Sequence, residues 1–81
     1  MSNKRLHLLM RRGCHLCEQA ANELRRLRAE FAEVDVDLHM DLQQTYGDAI
    51  PVLLDADGRE LARAPLDAAA LRRAISQQPP G

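Results

Sequence analysis

Between residues 5 and 10 the chain reads RLHLLM, a nearly unbroken apolar run that stops before the turn residue Gly13. A short run without alternation suits a strand covered on both faces. From His15 the period changes. Leu16, Ala20, Leu24, Leu27 and Phe31 follow one another at offsets of three and four, with Glu18, Glu23, Arg25, Arg26 and Glu30 on the other face. This predicts an amphipathic helix of about four turns, with Glu18 in the first turn, where a carboxylate suits the helix dipole. Residues 34–41, VDVDLHMD, alternate strictly and predict a second strand. Its polar face places it at an edge or half-exposed position. LQQTYGD predicts a short turn or helix closing near Gly47. IPVLLD and RELAR flank ADG, a hairpin pattern in which Gly58 supplies the positive φ. Pro65 ends the second arm, and Asp67 is placed to cap AAALRRAIS, a last helix that buries Leu71 and Ile75.

The predicted order is β-α-β-α-β-β-α, with the second helix the weakest element. Strands one and two, joined by a right-handed helical crossover, are expected to be parallel, and the hairpin adds antiparallel neighbours. The fold class is therefore α/β, a four-stranded mixed sheet with flanking helices. No repeat or linker interrupts it, so residues 1–81 are expected to form one domain, with 76–81 a frayed tail. Phe31 and Tyr46 are the only aromatic residues and much of the apolar content is Ala, so Leu must supply most of the core volume. A net charge of -1 gives no concentrated basic surface for nucleic acid or an anionic membrane. No apolar run approaches the roughly 20 residues of a membrane span. The start, MSNKRLHLLMRRG, has an apolar stretch too short for a secretory signal. A cytoplasmic location is expected, where a purely structural disulfide is not.

That expectation sharpens the meaning of RRGCHLCEQA, residues 11–20, which holds both cysteines. Cys14 follows the Gly13 turn and stands at the start of the first helix, where free backbone N–H groups and the positive end of the dipole converge. Arg11 and Arg12 add positive charge upstream. Bringing a thiol from about 8.5 toward 7 takes roughly 2 kcal/mol, which such surroundings can supply. The thiolate is the species that attacks a disulfide. Cys17 lies one helical turn on, positioned to resolve a mixed disulfide. Other readings remain open: two structural thiols, half of a zinc site that lacks a second cysteine pair, or a persulfide or iron–sulfur scaffold made by a dimer. His7 reads as a half-buried strand residue and His39 as solvated. Tyr46 reads as packing, or as the rim of a substrate groove. Pro51 leads its strand, which by itself marks only an edge position.

With Cys14-His15-Leu16-Cys17 at a helix start and Ile50-Pro51 before the hairpin, residues 5 to about 76 resemble the thioredoxin superfamily. More narrowly they are similar to the small glutaredoxin-like proteins of bacteria. The resemblance implies a thiol–disulfide oxidoreductase in which Cys14 is the exposed nucleophile and Cys17 resolves. It implies a cis Pro51 facing the disulfide, an Ile50 main chain that receives an extended thiol substrate, and Arg11 beside the carboxylate of glutathione. Arg12 and His15 would modulate the thiolate, though His15 also reads as a plain exposed first-turn residue. No bound cofactor or metal is expected, and glutathione is a candidate co-substrate. The substrate would be a disulfide-containing protein or a glutathione mixed disulfide, reset by a cellular dithiol reductant, with the chain acting as a monomer. Three features depart from the family pattern. Pro and Tyr between the cysteines are replaced by His15 and Leu16, no Trp precedes the motif, and Arg63-Ala64-Pro65 stands where glutaredoxins carry a glycine pair. Asp67 beyond them reads as an N-cap, or as a partner for an ammonium group. A non-catalytic binding module of the same fold, using the same cysteines for metal or for nothing, is the alternative.

Overall fold

In the computed structural model, residues 5–77 are described. The elements are β1 (Leu6–Met10), α1 (His15–Arg26), β2 (Phe31–Asp35), a 3-10 turn (Val36–Leu38), α2 (Met40–Tyr46), β3 (Val52–Leu54), β4 (Glu60–Arg63) and α3 (Ala68–Ser76). The sheet order is β2-β1-β3-β4, with β1 parallel to β2 and antiparallel to β3, and β3 antiparallel to β4. The unbroken apolar run thus becomes a central strand, as its lack of alternation requires. Leu6 and Leu8 join Ala20, Ala21, Leu24, Leu53, Leu71 and Ala74 on the face covered by α1 and α3. Leu9 joins Val36, Val52 and Leu54 on the other face, under Leu42, Tyr46 and Ala49. The result is the expected thioredoxin-like mixed sheet between helical layers.

Where the helix α1 stops is a correction to the periodicity. The apolar series from Leu16 predicts a helix running on to Phe31, yet the helix ends at Arg26. Leu27 is its C-cap, Arg28 takes φ 58°, the Arg28 N–H donates to the Arg25 carbonyl and the Ala29 N–H to the Leu24 carbonyl. These are the two bonds of a Schellman stop, a place where glycine is the usual occupant. Arginine there hides the stop signal, and Phe31 opens β2 instead. The buried face also sits one position off: Cys17, Ala20, Ala21 and Leu24 are buried, while Leu16 is 58% exposed.

The eight-residue strand predicted over 34–41 is likewise corrected. Only Val34 and Asp35 belong to β2, which is an edge strand as expected. Asp35 ends it: its Oδ1 accepts the Asp37 N–H at 2.9 Å and caps the 3-10 turn. Short polar side chains that bond their own backbone compete with strand pairing in this way. Val36 remains buried, but Leu38 and Met40 are released to solvent. The hairpin forms as expected, with Gly58 at φ 89° and the Asp55 carboxylate accepting the Asp57 and Arg59 N–H groups. Asp67 caps α3 by accepting the Ala70 N–H at 2.8 Å, and Leu71 is buried, with Ile75 packed at the core margin. Ser76 belongs to α3 rather than to a tail, and residues 78–81 of that expected tail lie outside the described residues.

Left-handed backbone at a residue with a Cβ costs roughly 1–2 kcal/mol, part of which glycine returns as chain entropy. Arg28→Gly is therefore expected to stabilise the fold by about 0.5–1 kcal/mol, read as a higher urea midpoint at unchanged slope. An equal or lower midpoint would contradict the helix stop described.

Candidate redox site

The end of β1 leads directly into the site. Gly13 has φ 76°, and a Cβ built there would meet no atom within 4 Å, so the requirement for glycine is conformational rather than spatial. The Cys14 N–H donates to the Arg11 carbonyl at 3.2 Å, closing the turn. Cys14 is the N-cap of α1, with φ -90° and ψ 105°, and its Sγ accepts the Cys17 N–H at 3.1 Å. A sulfur therefore occupies the place usually held by a serine or aspartate oxygen. Cys14 and Cys17 are joined as a disulfide with Cα atoms 5.2 Å apart. The two are not equivalent. Cys14 is half-buried at the surface, whereas Cys17 is only 2% exposed.

Strand pairing carries Pro51 to the same end of the sheet. Leu9 pairs with Val52, so Pro51 stands one step further, beside the end of β1 from which the cysteine turn departs. Pro51 is buried and the Ile50–Pro51 bond is cis, as the resemblance implied; Ala64–Pro65 is cis as well. Ile50 is partly buried against the cluster of Leu9 and Val52. A depression of about 130 Å³ is lined by Leu16, Pro51, Ala64, Pro65 and Leu66. A larger one, about 340 Å³, lies on the other side of the motif, among Arg11, Arg12, Cys17, Arg25 and Glu33.

The charge upstream of the cysteines is partly paired. Arg11 turns its Nε to both carboxylate oxygens of Asp37, at 3.0 and 2.8 Å, and Gln43 Nε2 donates to the same carboxylate at 2.9 Å. Asp37 thereby holds Arg11 above its ordinary pKa, first by the hydrogen bond and then by charge, with Asp35 and Asp48 adding smaller contributions. In return the Arg11 and Gln43 hydrogen bonds hold the Asp37 carboxyl below the ordinary 3.8. Arg12 and His15 are exposed, and Arg12 has no ion-pair partner among the described residues. Tyr46 packs in the cluster under α2. His39 is exposed, and the His7 ring lies 3.5 Å from the Asp55 carbonyl. Among the described residues no three His, Cys, Asp or Glu side chains gather as a metal site, and no helix is long and apolar enough to cross a membrane.

Comparison with known proteins agrees with this fold. The family model described as a glutaredoxin-like domain (DUF836) matches residues 5–76. The chain belongs to this family. Among similar structures is the X-ray structure of target protein XcR50 from X. campestris. It is 40% identical, with 91% of this chain and 99% of that one covered and a TM-score of 0.80. The solution structure of Ne2328 from Nitrosomonas europaea is 30% identical over 89% of this chain and 91% of that one, with a TM-score of 0.74. An uncharacterized protein of Mycobacterium tuberculosis, Rv0508, is 34% identical over 95% of this chain and 88% of its own length. The glutaredoxin-like fold and the bonded cysteine pair together support a redox-type role.

Three residues near the site were not legible as such. Asp37 was read on the polar face of a strand that ends before it, Leu16 fell on the wrong face of its helix, and Pro65 read only as a strand breaker. Asp37 gives the site a pH signature. Its carboxyl is held below 3.8 in the folded chain, so its contribution to stability is full above that value and disappears as pH falls through the lowered one. Asp37→Asn is expected to lower the urea midpoint at pH 6, with the gap from the parent closing toward pH 2. A gap that is constant with pH would show the pair to be energetically idle.

Proposed function

We propose that this glutaredoxin-like chain is a thiol–disulfide oxidoreductase whose working couple is Cys14–Cys17. One observation carries the reading: an accessible sulfur caps a helix N-terminus while its partner lies sheltered one turn behind. In the reduced protein the Cys17 N–H and the dipole of α1 would favour a Cys14 thiolate over the thiol, with Arg12 adding charge. That thiolate attacks one sulfur of a substrate disulfide, expelling the other as a thiolate and leaving a mixed disulfide on Cys14. The Cys17 sulfur then attacks Cys14 Sγ, releases the second substrate thiol and closes the internal bond. Two electrons pass from the protein to the substrate, and the two departing thiolates are protonated by the Cys17 proton and one from solvent.

Pro51 and the Ile50 main chain border the approach to Cys14 and serve as the substrate platform. Arg11 acts there as one half of an ion pair with Asp37. His15, exposed between the cysteines in sequence, modulates the couple. A cellular dithiol resets the pair in the cytoplasm, and glutathione enters, where it does, as a co-substrate rather than a bound group.

The reduced protein is treated with iodoacetamide at pH 6.5 and the label is located by mass spectrometry. Cys14 is expected to react about fivefold or more faster than free cysteine, because a lowered thiol pKa raises the thiolate fraction more than it lowers nucleophilicity. Cys17→Ser is expected to accumulate a mixed disulfide with a model substrate, and Cys14→Ser to form none. Preferential labelling of Cys17, or a Cys14 rate no better than free cysteine, would falsify the assignment.

A further inference from the structure

Three large apolar side chains are exposed among the described residues, and all three lie on segments that leave the C-terminal ends of the adjacent strands β1 and β2. They are Leu16 at 58%, Leu38 at 78% and Met40 at 73%. β1 and β2 run parallel with Met10 opposite Asp35, so both strands end on the same side of the sheet. The turn carrying Cys14 and Leu16 leaves from one strand, and the segment carrying Leu38 and Met40 leaves from the other. The Arg11–Asp37 ion pair ties the two segments together, with Leu38 the next residue after Asp37. Apolar residues scattered singly over a surface carry little meaning, but a group around a reactive bond marks an interaction surface. Leu16 also walls the depression of about 130 Å³ formed with Pro51, Ala64, Pro65 and Leu66. That is well below the roughly 300–1,000 Å³ of pockets that enclose small molecules, and suits one aliphatic side chain.

Apart from the neutral amide of Gln19, which also lines the depression, the charged groups around this surface are engaged with one another or carry the wrong charge for an anion. Pro65 has no N–H to donate. The Asp67 carboxylate accepts the Ala70 N–H at one oxygen and, being negative, repels an anion, and Arg63 is held by Glu60 at 2.6 and 2.7 Å. Arg11 is held by Asp37, with Asp35 and Asp48 also acting on it by charge. A ligand with two carboxylates and one ammonium, such as glutathione, therefore finds Arg12 as the one unpaired cation close to the cysteine turn among the described residues.

Resting on the redox reading above, we infer that the preferred substrate is a polypeptide disulfide with an apolar side chain next to the reacting cysteine, rather than glutathione. The apolar side chain enters the groove beside Leu16, and further apolar residues of the partner cover Leu38 and Met40. The partner's charge near Arg11 is neutral or positive, to match the surplus of carboxylates there. Each turnover breaks the polypeptide S–S bond, forms the Cys14–Cys17 bond and releases two polypeptide thiols. An external dithiol supplies the next two electrons.

The test uses the full chain, fully reduced, and four disulfides. These are oxidised glutathione, the neutral bis(2-hydroxyethyl) disulfide, a short peptide disulfide with Leu beside cysteine, and the same peptide with Asp in that place. Each rate is divided by the rate with dithiothreitol, which removes intrinsic differences between the disulfides. The Leu peptide is expected to react at least tenfold faster than oxidised glutathione, and the Asp peptide to fall near glutathione. The double variant Leu38→Ser/Met40→Ser is expected to lower the ratio of Leu-peptide to neutral-disulfide rates threefold or more. Asp37→Asn, which releases Arg11, is expected to raise the glutathione rate several-fold. Equal rates for the Leu and Asp peptides, or glutathione matching the Leu peptide, would overturn the substrate assignment while leaving the redox reading standing. Failure to outpace free cysteine with all four disulfides, the neutral one included, would overturn both.

Discussion

A single hydrogen bond, from the Cys17 N–H to Cys14 Sγ, organises the functional end of this molecule. Helix N-termini leave backbone donors without partners, and the chain meets that need with sulfur. The same bond sets the helix start, brings Cys17 back over Cys14 and orders the two sulfurs into an outer and an inner one. The cap and the chemistry are therefore one feature. Loss of the sulfur at position 14 removes the disulfide and a helix cap together.

The bond is useful only because its surroundings hold it in place. β1 is buried on both faces between β2 and β3, which fixes the point where the Gly13 turn leaves the sheet. The antiparallel pairing of β3 delivers Pro51 to that point from a distant part of the sequence. The Arg11–Asp37–Gln43 network fastens the turn to α2 on the other side. Exposed ion pairs contribute little to global stability, and this one matters more for which groups stay available near the sulfur. It engages the Arg11 guanidinium beside the cysteine turn.

Much of this was readable in the chain, and the failures share a cause. The central strand, the hairpin with Gly58 and the Asp67 cap were visible because apolar periodicity or turn chemistry stated them directly. The family resemblance located the cysteines and the cis proline together. The misread boundaries lie where one local interaction overrode a longer pattern. Arg28 adopts a conformation that glycine would have announced, and the Asp35 carboxylate ends a strand whose alternation continues for six more residues. Leu16 looked like core because it fits a helical stripe, and only the true face of α1, set by Cys17 and Ala20, shows it outside. The polar clamp on Arg11 joins residues 26 positions apart, a pairing that no spacing rule reports.

The short connection after α1 sets more than a helix end. Between Arg28 and Phe31 the chain must arrive so that Glu30 accepts the Leu6 N–H and Phe31 lies opposite Leu6. One residue inserted or deleted there would exchange the inward and outward faces of β2. Val34 would leave the core, Asp35 would be driven into it, and the turn that presents Asp37 to Arg11 would lose its footing. A change of length at the exposed hairpin tip would be absorbed in solvent. In this four-residue bridge, a change of length is transmitted to the charge pattern beside the sulfur.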